Sequence, residues 1–130
     1  MPHLSKEVLD PLYLQKLFAE LEILIASTTK RDSGAVLDAL LTETEKVMLT
    51  KRLAGAMMYS KGYSQYQVWN LLKISPSTAE RMQHTYESGH YNALLKIVTH
   101  KNNGELWDVL ELILRGGLPT MGKDRWKSIL

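Results

Sequence analysis

The stretch from Gly62 to His84, Gly-Tyr-Ser-Gln-Tyr-Gln-Val-Trp-Asn-Leu-Leu-Lys-Ile-Ser-Pro-Ser-Thr-Ala-Glu-Arg-Met-Gln-His, constrains this chain more than any other, because it places two helix caps around one tight turn. Gly62 is suited to close a preceding helix, and Ser64 to cap a short new one whose inward face is Val68, Leu71 and Leu72. The chain must turn at Lys73 and Ile74. Ser75 then caps a further helix, with Pro76 in its first turn, where the missing N–H costs nothing. The pattern predicts a helix-turn-helix. Its second helix opens with Pro76, Ser77, Thr78, Glu80 and Arg81, polar and mostly small residues able to approach a duplex as a recognition helix enters a major groove.

An ordinary helical hairpin packed into a bundle is the competing interpretation. Ser75, Ser77 and Thr78 count against it, since a hairpin buried in a core calls for apolar side chains there. Glu80 counts for it: phosphate repels a carboxylate unless that carboxylate reads a cytosine amino group.

With 130 residues, 45% of them hydrophobic and 23% charged, the chain is long enough for one domain with a core and ordinary for a soluble globular protein. It has no cysteine, which excludes disulfides, thiol catalysis and thiolate metal sites. The opening Met-Pro-His-Leu-Ser-Lys-Glu lacks a signal pattern and no apolar run has membrane-spanning length, so a cytoplasmic protein is expected. A net charge of +2 and a pI of 8.8 fall short of binding nucleic acid by charge alone. Any such binding needs a specific site.

Taken in order, the first helix is expected from Ser5 or Asp10 to Ala26, with Leu14, Leu17, Phe18, Leu21, Leu24 and Ile25 at helical spacing. Tyr13 and Ile23 lie off that stripe, so the helix is apolar on more than one face and calls for cover such as a partner subunit. After a polar connection, Ser33 is expected to cap a short helix holding Val36, Leu37, Leu40 and Leu41. Thr42 followed by Glu45 forms a capping-box pattern. The helix it opens should reach Ser60 or Lys61, with Leu49, Leu53, Ala56 and Met57 inward and Glu45, Lys46 and Lys51 toward water. Beyond the turn motif, a stop is expected near Ser88-Gly89, then helices over His90–Thr99 and Glu105–Arg115 separated by a loop from His100 to Gly104. The tail Leu118–Leu130 carries Trp126 and no clear pattern. No strand signal or internal repeat is present.

Leu-Leu-Thr-Glu-Thr-Glu opening a capped helix, an arginine ten residues after its first threonine, then Ser-Gln and Ser-Thr-Ala-Glu-Arg, resemble the tryptophan repressor superfamily over residues 33–98. The resemblance implies an all-α homodimer, intertwined through its terminal helices, that presents two helix-turn-helix units to double-stranded DNA as a transcriptional regulator. It implies a repressor-like domain over 1–98, and it says nothing of residues 99–130, which read as an added helical extension and tail. The family's DNA contacts fall by matching position on Ser64, Gln65, Tyr66, Trp69, Pro76, Ser77, Thr78, Glu80 and Arg81. Ser64, Gln65, Thr78 and Arg81 keep the family's residue type, whereas Tyr66 and Trp69 replace basic residues and offer aromatic faces for sugar or a thymine methyl.

The family's effector pocket maps onto Thr42, Arg52 and Arg81. Met82 stands where the family has glycine, and its side chain should occupy the slot left for an indole. A small-molecule effector other than tryptophan, or none, is therefore expected, and no cofactor. An enzyme is not expected: His3, His84, His90 and His100 are scattered without nearby carboxylates in register, and no phosphate-binding glycine loop is present. Two further readings use the same motif. One is a transposase- or replication-associated DNA-binding accessory protein, and the other a protein-interaction module marked by Tyr63, Tyr66 and Trp69, for which half-buried packing is the plainer role.

Overall fold

The computed structural model describes residues 7–100 and 104–115, and every element among them is helical. These are α1 (Pro11–Ser27), α2 (Ser33–Leu40), α3 (Glu43–Ser60), α4 (Gln65–Leu72), α5 (Pro76–Glu87), α6 (Asn92–His100) and α7 (Gly104–Leu114). None is long and apolar enough to cross a membrane. His3, residues 101–103 of the expected loop and the tail with Trp126 lie outside the described residues.

The chain divides into two compact units, residues 1–48 and 49–130, with α3 running across the boundary. In the first, the Asp10 carboxylate accepts from the Leu12 N–H at 2.8 Å and Pro11 takes the first helical position of α1. That helix buries no residue: Leu17, Phe18 and Ile25 each remain about 60% exposed. The short α2 buries none either. The expectation that Ser33 caps α2 is corrected. Asp32 holds the cap position and makes no side-chain cap bond, because its carboxylate accepts instead from the Thr29 hydroxyl at 3.0 Å; Ser33 is the first helical residue. The capping box of α3 forms in full. The Thr42 N–H donates to Glu45 Oε1 at 2.8 Å and the Glu45 N–H to Thr42 Oγ1 at 3.1 Å. Lys46 pairs with Asp38 of α2 and with Glu43.

The second unit holds the core. Met58, Tyr59, Val68, Leu72, Ala79 and Met82 form one buried cluster, ringed by half-buried Ala54, Tyr63, Trp69, Leu71, Ile74 and Tyr86. Ala56 and Met57 are buried as expected, but Leu49 is 43% exposed, and the buried run of α3 is Gly55 to Tyr59. Five consecutive residues span more than one turn. The end of α3 is thus covered on all sides, whereas its beginning is not.

Candidate nucleic-acid interface

Four hydrogen-bonded junctions hold α4 and α5. Gly62, at φ +88°, ends α3: its N–H bonds the Tyr59 carbonyl at 3.0 Å and the Tyr63 N–H reaches Met58 at 3.1 Å. Ser64 caps α4 in a second full box, accepting from the Gln67 N–H at 3.2 Å while Gln67 Oε1 accepts from the Ser64 N–H at 3.0 Å. Lys73 then turns the chain in a left-handed conformation, φ +57°, unusual for a residue with a Cβ. Its carbonyl accepts from Lys51 Nζ at 3.0 Å, so the lysine expected to face water ties α3 to the end of α4. Ser75 caps α5, accepting from the Thr78 N–H at 3.1 Å, with Pro76 at the first position.

Two contacts with no signal in the sequence fix α5 from behind. The buried Tyr59 hydroxyl donates to the Ala79 carbonyl at 2.6 Å, and the Gln65 side chain donates to that of Gln83. Burial pushes the Tyr59 phenol above its usual range, with Tyr91 adding to the effect. Gln65 is thereby committed to α5.

On the outer side, Pro76, Ser77, Glu80 and Arg81 are exposed and Thr78 is half-buried. Ser75, Ser77, Thr78 and Arg81 form one polar chain. Ser75 Oγ lies 3.2 Å from Ser77 Oγ and donates to Thr78 Oγ1 at 2.8 Å, which also accepts from the Arg81 guanidinium at 3.3 Å. Glu80 faces His84, 3.9 Å away one turn on. On α4, Tyr66 is 62% exposed and meets Trp69 edge-on, centroids 5.0 Å apart; Tyr63 and Trp69 pack half-buried against the core and Tyr66 does not.

Of the candidate effector residues, Thr42 belongs to the first unit and is engaged in the α3 capping box. Arg52 is exposed on α3 and Arg81 on α5. Met82 is buried, and its methyl lies against Gly55, where an added Cβ would meet it at 2.7 Å. The methionine occupies the space beside that glycine.

The chain's small net charge is unevenly placed. Residues 49–100 carry six Lys or Arg against two Asp or Glu, whereas residues 1–48 carry five against eight. Among the described residues, no three His, Cys, Asp or Glu are grouped to hold a metal ion. No protein-family model matches the sequence, and no curated protein or solved structure matches it either.

Proposed function

We propose that this chain is a sequence-specific DNA-binding transcriptional regulator of tryptophan-repressor-like fold, acting in the cytoplasm as a homodimer, with α4 and α5 as its helix-turn-helix. The observation that carries the reading is the outer surface of α5. A capped helix start carries the exposed Ser77 and Arg81, linked to Ser75 and Thr78 in one polar chain, in the part of the chain where cations outnumber carboxylates six to two. Arg81 and Thr78 are the base or phosphate contacts in this reading, and Ser64 sets α4 on the backbone. The dimer is supported by α1, whose apolar residues remain exposed among the described residues. Because these residues point to more than one side of the helix, an intertwined partner suits them better than a flat one.

A protein-interaction module is the second reading, favoured by exposed Tyr66 beside Trp69. Selection of bound duplexes from a random DNA library, with the winners titrated at two salt concentrations, separates the two. A two-fold symmetric motif with half-sites about one helical turn apart is the expected result. A folded dimer that enriches nothing at either salt favours the protein partner.

A further inference from the structure

The end of α3 and one face of α7 enclose a cavity of about 440 Å³ that plays no part in the reading above. One wall is built by the reverse turn at Gly62, which brings Met58 and Tyr63 together through the 3.1 Å bond between their backbones. The opposite wall is Trp107 and the buried Leu110 of α7. Lys61 crosses between the walls, its Nζ 4.7 Å from the centre of the Trp107 ring. Arg115 and Glu111 complete the lining.

The volume falls within the range of small-molecule sites, roughly 300–1,000 Å³. The lining is about half apolar, with the Tyr63 and Trp107 rings beside Met58 and Leu110, which suits a flat ring that carries a polar group. Two cations against one carboxylate make the lining net positive, which selects an anionic group on that ring. An ammonium resting on a ring has three N–H donors, so Lys61 can keep its contact with Trp107 and still donate to an anion. We propose that this cavity is a binding site for a small aromatic carboxylate, its ring along Trp107 and Tyr63 and its carboxylate at Lys61.

The test is titration of benzoate, 2-naphthoate and the uncharged 2-naphthamide into the full chain, followed by the Trp107 indole N–H and the amides of Lys61 and Tyr63 in NMR spectra. The expected result is saturable shifts at these three residues with at least one acid, and 2-naphthoate binding about tenfold tighter than its amide. Lys61 is exposed, so Lys61→Met should leave the remaining spectrum unchanged while erasing the preference for the acid. No saturable shift with either acid up to millimolar concentration overturns the proposal. So does equal binding of acid and amide, or a preference that survives Lys61→Met. The readout contains no DNA, so it stands or falls apart from the regulatory reading.

Discussion

The methyl of Met82 lies where a side chain on Gly55 would have to be, 2.7 Å from an ideal Cβ on that glycine, with the Met82 sulfur 3.3 Å away. The helix α3 therefore has a glycine in its interior because α5 needs the space. Gly55→Ala gains about 0.5–1 kcal/mol of helix propensity. The added Cβ meets only the terminal methyl of a flexible side chain, which can swing aside, so the overpacking cost stays near the low end of about 1–3 kcal/mol and nearly cancels that gain. A change of less than about 1 kcal/mol is expected by denaturant unfolding. Met82→Ala alone should cost about 2–5 kcal/mol, and Gly55→Ala should be more favourable in that variant than in the wild type. Strict additivity would show that the two residues do not share the space.

Tyr59→Phe removes the bond to the Ala79 carbonyl and leaves the ring in place. A loss of about 0.5–1.5 kcal/mol is expected from thermal or denaturant unfolding. The same variant should loosen α5, seen as faster hydrogen exchange of its amides than in α3.

Glu45 accepts two hydrogen bonds from Thr42, first through the backbone N–H and then the hydroxyl, and these hold its carboxyl below the ordinary glutamate value of 4.5. A carboxyl lowered by folding contributes stability above its unfolded value, and the contribution fades as pH falls through the folded one. The start of α3 should thus fray in acid below about pH 4.5. Carboxyl-carbon NMR titration of the wild type and Thr42→Val checks this: the variant keeps the backbone N–H and loses only the hydroxyl, so Glu45 should move part of the way back toward the ordinary range. An unchanged titration would mean that the hydroxyl contributes nothing.

Arg81→Ala should cost about 1–3 kcal/mol on the selected DNA site and relax preference at one base position. Equal weakening on all sequences, with a shallower salt dependence, would make Arg81 a phosphate contact. Ser75→Ala, which removes the cap of α5, should lower stability by about 1 kcal/mol.

Leu17→Glu with Phe18→Glu places two charges on the exposed apolar surface of α1. In the proposed dimer this should shift sedimentation equilibrium to the monomer, with loss of DNA binding at micromolar protein. A dimer that withstands both charges would mean that α1 is covered by something else.

The local framework was legible in the sequence because each signal acts within a few residues. Thr42 with Glu45, Gly62, Ser64 and Ser75 before Pro76 each satisfy backbone groups of their own turn, and each does so in the structure. At Ser33 the structure departs from the expected cap, because Asp32 and Thr29 compete for the same turn. What tertiary structure alone decided are the contacts between residues far apart in the chain: Tyr59 to Ala79, Gln65 to Gln83, Lys51 to the Lys73 carbonyl, and Met82 against Gly55. Helical periodicity reports which residues share a face and says nothing of what that face meets. For the same reason Leu49 and Met57 look alike in the sequence, and only packing leaves one at the surface and buries the other.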